Sequence, residues 1–332
     1  MAVAPRPGQD AGRNSLRSAR SAGDPIFYGL NLFFAIVVIV AAFALVATIM
    51  VQAWPAIGTV GTTIFTSTNW DTGNHVFGAL TFITGTIITS VIALLLAGIV
   101  GVMIAVFLVE LAPPALARPV SFLIEMLAAV PSIIFGLWGI FVLIPLIQPF
   151  EQFLHAHLGF TVPFTNLSLF GGNFVVGNSI FTASLVLSIM ILPTVAALSR
   201  DVMAAVPGSQ REGMMALGAT RWEVVSRVVI PYARAGIVGA LILALGRAVG
   251  ETMAVTMVIG NAQSPSPSLL TSGNSLASAL ANNLGEAFSD PVWLGALFEL
   301  ALLLLGISLV LNIIARLLVR QVNKGTTASA RK

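Results

Sequence analysis

Six stretches of this chain stay apolar for long enough to cross a bilayer as helices, which takes about 20 residues each. They lie near 30–51, 82–109, 122–147, 176–198, 235–259 and 292–318 of 332 residues. Only 9% of the residues are charged and 57% are hydrophobic, whereas a soluble domain carries roughly 25% charged residues. The mean hydropathy is +0.97, so lipid must cover much of the apolar surface. The expected fold class is an all-α polytopic membrane protein with six transmembrane helices.

Fifteen of the sixteen Lys and Arg residues fall on one side of that pattern. Segments 52–81, 148–175 and 260–291 contain none, and their charges are Asp71, Glu151, Glu286 and Asp290. The link near 110–121 carries Arg118. The link 199–234 carries Arg200, Arg211, Arg221, Arg227 and Arg234, and the C-terminal end carries Arg316, Arg320, Lys324, Arg331 and Lys332. Basic loops stay in the cytoplasm, so both termini are expected there, in a multi-pass protein of the plasma (cell inner) membrane. Residues 1–24 are rich in Ala, Gly, Ser and Arg and read as a disordered basic cytoplasmic tail. Residues 25–320 form the membrane domain, and 321–332 a second tail. No small-residue cleavage site follows the first apolar run, which argues against a removed signal peptide.

Composition also narrows the chemistry. The pI of 9.9 follows from basic loops and gives no reason to invoke nucleic acid. Without cysteine there are no disulfides, thiol chemistry or Cys-ligated metal. Neither lysine stands in a G-x-x-x-x-G-K-[ST] loop, so if ATP drives this protein, a separate chain holds the ATP and Mg2+. His155 and His157 have no further ligands beside them and make a poor metal site. No nucleophile and base are recognisable as a pair.

The sixteenth cation is Arg247, inside the fifth apolar stretch and four residues before Glu251. In a helix starting near 235 it lies about 16 Å deep, close to mid-membrane. A lone Arg there costs roughly 2.5–3.5 kcal/mol, and Glu251 at i+4 can neutralise it on the same helix face. Gly246 and Gly250 form a G-x-x-x-G pair on an adjacent strip, which lets another helix approach. Two uses fit these residues: a structural ion pair, or a planar guanidinium that donates paired hydrogen bonds to a tetrahedral oxyanion. In the second, Glu251 keeps Arg247 from trapping the ion.

Other polar positions are less telling. The third apolar stretch is interrupted by Pro131, Gly136 and Gly139, giving an expected kink that frees the Leu127 carbonyl; Ser132 can partly satisfy it. Ordinary packing is the simpler explanation of that kink. In 261–291, a Ser-Pro loop at 264–267 precedes a helix whose stripe is Leu276, Leu280, Leu284 and Phe288. Asn31, Asn178 and Asn312 are expected to bond between helices, and Glu299 to lie near the outer interface.

The link 199–234 is far longer than the 2–8 residues usual between bundled helices. Pro207 and Gly208 break the preceding helix, a short amphipathic helix follows, Gly218 turns the chain, and a second helical stretch ends at Pro231. A short helix held off the membrane is a natural docking element. The stretch Glu212-Gly213-Met214, three residues, Gly218, nine residues, Val228-Val229-Ile230-Pro231 resembles the "EAA" loop of ABC importer permeases, with Gly213-Met214 standing for Ala-Ala. The run Leu245-Gly246-Arg247-Ala248-Val249-Gly250-Glu251-Thr252-Met253-Ala254-Val255, the Val130 to Gly139 segment and Ala281-Asn282-Asn283-Leu284-Gly285-Glu286-Ala287 resemble the PstC-type permeases of phosphate importers.

That resemblance covers roughly 25–320 and implies a type I ABC importer permease fold. It implies a second, PstA-like permease, a PstB-like ATPase homodimer on the cytoplasmic side and a phosphate-binding protein outside. It assigns coupling to the ATPase to Glu212, Ala216, Leu217 and Gly218. It favours a substrate-path role for Arg247 and Glu251, with Ser132 and Thr252 beside them, and a packing or kink role for Gly246, Gly250, Pro131 and Gly136. The implied function is inward translocation of inorganic phosphate by alternating access. A permease for molybdate or sulfate, or an ion-coupled secondary transporter, remains an alternative; the latter often has paired broken helices, and only one break is visible in the sequence.

Overall fold

A computed structural model describes residues 23–159, 170–171, 177–263 and 268–329. The tail expected over 1–24 therefore lies outside the described residues except at its end, where a helix has already begun. The chain divides into two compact units, one ending at Val51 and one spanning Gln52–Lys332.

The first helix, α1, runs over Gly23–Val60. Up to Val51 it is apolar and exposed on every side, with Phe33, Phe34, Phe43 and Val51 open. A helix without a polar face suits lipid, where every backbone group must bond within the helix.

In the second unit α2 spans Leu80–Val106 and continues as a π-helical segment over Phe107–Leu111. The helix α3 spans Pro114–Ala128 and buries no residue. Then α4 (Ser132–Trp138), a π segment (Gly139–Leu143) and α5 (Ile144–Leu158) follow as one rod. The central helix α6 is Ile180–Ala204. Two short helices, α7 (Gly208–Ala216) and α8 (Arg221–Val224), lead through a π segment into α9 (Ile230–Val249). Last come α10 (Met253–Val258), α11 (Leu276–Ala287) and α12 (Pro291–Ser329).

Six helical stretches are long and apolar enough to cross a membrane: Ile26–Phe65, Leu80–Leu111, Ser132–Leu158, Ile180–Ala204, Arg221–Val249 and Pro291–Leu317. The count agrees with the sequence, but several boundaries move: the first stretch, expected to end at 51, runs on to Phe65, and the third, expected to end at 147, runs on to Leu158. The third stretch, expected over 122–147, begins only after Pro131, and the fifth, expected over 235–259, starts earlier and stops at Val249. Helix α12 also runs on to Ser329 where a tail was expected from 321.

Packing centres on α6, where Leu187, Met190, Ile191, Val195 and Ala196 are fully buried. Small residues let α2 lie close against it. Ala93 and Ala97 are buried at this contact, and a Cβ on Gly101 would come within 2.9 Å of Val195. Without a hydrophobic drive between helices in lipid, such close backbone approach supplies the packing.

A second cluster joins Ile64, Phe82, Leu276, Leu297 and Leu300 to a two-stranded hairpin, β1 (Trp70–Asp71) against β2 (Val76–Phe77). This hairpin adds a small β element to the all-α expectation. Trp70 meets Phe77 and Phe82 edge-on, at centroid distances of 4.9 and 5.2 Å, a favoured aromatic geometry. Asp71 shapes the turn by accepting bonds from the Asn74 side chain (2.7 Å) and the backbone N–H groups of Asn74 and Gly73. Those donors, the Asn74 side chain foremost, hold its carboxyl below the usual range.

Candidate functional site

Arg247 lies in the last turn of α9, half-buried, not midway along a longer helix. The helix stops because Gly250, which loses the most entropy in a helix, caps it through its N–H to Gly246 and Ala248 carbonyls. Glu251 therefore does not sit one turn above Arg247. Its Oε1 instead accepts the Ala254 N–H at 3.1 Å, in the first turn of α10. The ion pair expected from the i+4 spacing is thus not formed. Among the described residues no carboxylate pairs with Arg247; its Nη1 donates to Thr194 Oγ1 of α6 at 3.4 Å.

The expected close approach at Gly246 and Gly250 is likewise not seen. A Cβ on Gly246 would meet nothing within 4 Å, and one on Gly250 only its own chain. Gly250 acts instead as a helix terminator. Thr252 follows in the same break; its carbonyl accepts from Thr256 Oγ1 at 2.7 Å.

A second break lies at Pro131, where the sequence suggests a kink. Helix α3 ends at Ala128 and α4 starts at Ser132, with Pro131 extended between them. The Leu127 carbonyl is taken up by the Val130 N–H at 3.3 Å. Ser132, half-buried, makes no side-chain hydrogen bond among the described residues.

These two breaks are neighbours. A Cβ on Gly136 would lie 2.7 Å from Met257 Sδ and 3.1 Å from Ala254 Cα, and one on Gly139 would lie 2.9 Å from Val258. Moving forward along α4 thus moves forward along α10, so the two half-helices run parallel and begin side by side. That places Ser132 at the level of Glu251 and Thr252, a convergence that positions so far apart in the chain do not reveal. Gly136→Val would wedge these half-helices apart at a backbone contact. Overpacking of this kind costs about 1–3 kcal/mol, and a lowered thermal midpoint in detergent is the expected result; an unchanged midpoint would mean this contact does not hold them.

The link 199–234 folds as a compact helical turn. Helix α7 ends in a pair of bonds, Gly218 N–H to Met215 O and Ala219 N–H to Met214 O, with Gly218 at φ +86°. This is the glycine-terminated Schellman arrangement. Space around Gly218 is open, so a side chain there is opposed by backbone conformation and not by crowding. Thr220 then starts α8 with a capping box, its hydroxyl accepting from Glu223 N and its N–H donating to Glu223 Oε2. The Thr220-x-x-Glu223 spacing was readable as that signal.

One face of α7 is anchored. Arg211 pairs with Glu110 at 3.1 Å and donates to the Met203 carbonyl at 2.7 Å, while Met214 and Ala219 pack on a cluster with Met203 and Val206. The other face is open: Glu212 and Ala216 are exposed, as are Met215, Leu217 (84%) and Trp222 (70%). Glu212, Ala216, Leu217 and Gly218, the positions to which the resemblance assigns coupling, are all exposed; sequence reasoning missed the Arg211–Glu110 anchor, because its partners come from separate links.

Several other expectations change. Asn31 and Asn312 donate to carbonyls on their own helices, Phe27 and Ser308, both at 2.8 Å. Glu299 is buried, and its Oε2 has no hydrogen bond among the described residues. Glu151 is also buried, and accepts from the Ser179 and Thr182 hydroxyls at 3.0 Å each, tying α5 to the start of α6. His155 and His157 lie two positions apart in the last turn of α5, and residues two apart on a helix do not share a face.

The family described as "Binding-protein-dependent transport system inner membrane component" matches residues 97–324. The chain is 43% identical over 302 residues to the phosphate transport system permease protein PstC of Haemophilus influenzae, covering 91% of this chain and 94% of that protein. It is 41% identical to PstC of Mesorhizobium japonicum, over 92% of each. It is 42% identical to PstC 2 of Mycobacterium tuberculosis, over 84% of this chain and 86% of that one. In fold it is similar to a bacterial alginate ABC transporter in complex with an alginate pentasaccharide-bound periplasmic protein, at a TM-score of 0.61 and 13% identity over 91% and 96% of the two chains. The MetNI methionine ABC transporter in inward-facing conformations is similar at a TM-score of 0.53 and 18% identity, over 73% of this chain and 95% of that one.

Proposed function

The chain belongs to the family of binding-protein-dependent transport system inner membrane components, as a PstC-type permease of a phosphate ABC importer, and from that premise we propose how it handles its anion. Arg247 is the counter-charge that inorganic phosphate meets on its way inward. The observation that carries this reading is a half-buried guanidinium in a membrane helix, beside two neighbouring helix breaks, with no carboxylate partner among the described residues. An intramembrane cation is costly unless it is used, and Arg247 has donors to offer as a planar fork. Glu251, turned away to hold the start of α10, leaves that charge available. Ser132 and Thr252 add polar groups at the same level.

The power stroke comes from outside this chain. A PstB-like ATPase homodimer, holding ATP and Mg2+, docks on the exposed face of α7 around Glu212, Ala216, Leu217 and Gly218. A PstA-like permease completes the path, and a phosphate-binding protein delivers the anion from the opposite side. The basic loops face the cytoplasm, in the bacterial inner membrane. The anchored and exposed faces of α7 support this division: one face meets the permease body, and the other is free for a partner.

The test is uptake of labelled phosphate by the reconstituted complex, dependent on the binding protein, with sulfate and molybdate as competitors. Uptake that needs all four components and yields only to unlabelled phosphate is the expected result. Equal competition by sulfate or molybdate would overturn the assignment of the anion.

A further inference from the structure

The face of α9 that carries Arg247 continues away from the breaks. Gly236, Ala240, Leu243 and Arg247 recur at spacings of four, three and four, so they share one helix face. On α6, Thr194, Leu198 and Val202 recur every four residues. Arg247 bonds to Thr194, and the remaining residues of both stripes line a groove of about 520 Å³. The groove therefore begins one turn from Arg247 and runs toward the end of α9 that joins the basic link. A water molecule takes roughly 30 Å³ of liquid volume, so a tetrahedral oxyanion fits with part of its hydration.

The wall is apolar except at one place, where Arg316 of α12 reaches it. Among the described residues no carboxylate pairs with Arg316. Leaving Arg247, an anion would cross roughly 10 Å of apolar wall alongside α9, down to the level of Ala240. A cation matters most in such low-dielectric surroundings. Passage along a path needs binding that is shared among sites and weak enough to release.

We propose that this groove is the inward exit of the anion path and that Arg316 is a second oxyanion-binding residue, taking over the ion as Arg247 lets it go. The inference rests on the reading of Arg247 given above. The same chemistry, an arginine beside an apolar groove, could bind a phospholipid headgroup with its chain in the groove, and the test separates the two sources.

The chain contains no cysteine, so single thiols can be introduced on its groove. Gly239 lines the groove and has open space for a side chain. In the nucleotide-free complex in vesicles, Gly239→Cys and Leu243→Cys are expected to react with an anionic, water-soluble thiol reagent applied from the cytoplasmic side. Labelling is read as a mass shift of this chain. Adding Arg316→Gln should slow the anionic reagent about threefold to tenfold, by removing its electrostatic focus, and leave a cationic reagent no slower. Arg316→Gln should also lower phosphate uptake in vesicles of purely zwitterionic lipid. Unreactive thiols, or a loss of uptake confined to vesicles containing anionic lipid, would assign the groove to lipid or a partner helix and overturn the proposal. Normal uptake by Arg247→Lys would sink the underlying reading. Defective uptake by Arg247→Lys with an unaffected Arg316→Gln would sink only this inference.

Discussion

Arg247→Ala in the assembled importer is expected to abolish most phosphate uptake while leaving the complex intact. Losing a charged donor to an anion costs roughly 1.5–3 kcal/mol per bond. A guanidinium that donates two bonds would thus give up about 3–6 kcal/mol, a fall of roughly 150-fold or more in rate. Arg247→Lys separates charge from geometry, since it keeps the cation but loses the planar fork; a decline of about tenfold is expected. Because Glu251 is bonded to Ala254 and not to Arg247, the Arg247→Ala change leaves no carboxylate stranded, and assembly should be normal on a sizing column. Full uptake by Arg247→Lys would mean that phosphate does not use the fork, and an unassembled complex would mean that Arg247 serves structure.

The second large effect is expected at the root of α7. Arg211 and Glu110 are mostly buried together, with side chains 21% and 13% exposed. Removing only Arg211 strands the Glu110 charge, at a cost of about 1–2 kcal/mol for a partly screened pair, and frees α7 from the end of α2. Arg211→Gln should therefore leave ATP hydrolysis running but reduce phosphate moved per ATP about tenfold. The double variant Glu110→Gln/Arg211→Gln removes the stranded charge and should recover part of the protein's thermal stability. It should not restore coupling, because the tether is still missing. Coupling that survives in Arg211→Gln would show that the Met214 and Ala219 contacts alone hold α7 in place. Additive effects in the double-variant cycle would show that the two side chains do not communicate.

Much of this arrangement was legible in advance. Pro207, Gly208 and Gly218 mark the edges of α7 because each restricts or frees the backbone locally, whereas the stop expected at Pro231 does not occur: the helical stretch runs through it from Arg221 to Val249. Where the sequence misled, the cause was a backbone break or a nearer hydrogen-bond partner that residue spacing does not show. Arg247 and Glu251 look like partners only if one helix contains both, and a glycine at 250 is tolerated in many membrane helices. The carboxylate found a nearer use in the Ala254 N–H of α10. Pro131 suggests a bend; the close packing of Gly136 and Gly139 on α10 accompanies a full break. Asn31 and Asn312 had carbonyls one turn back within reach, and took those in preference to partners on other helices.

The amino-acid sequence by itself settled the solvent and the number of crossings, because apolar run length and the placement of cationic residues act segment by segment. It also marked the loop between the fourth and fifth crossings as a short helix followed by a glycine turn, since turn and cap chemistry is local. Only the tertiary structure decided which polar groups meet. The parallel seating of α4 on α10, the tether from Arg211 to Glu110 and the groove from Arg247 to Arg316 all join residues whose separation in the chain carries no periodic signal. In lipid those meetings are fixed by how closely small residues let helices approach, a property of pairs of surfaces that no single segment contains.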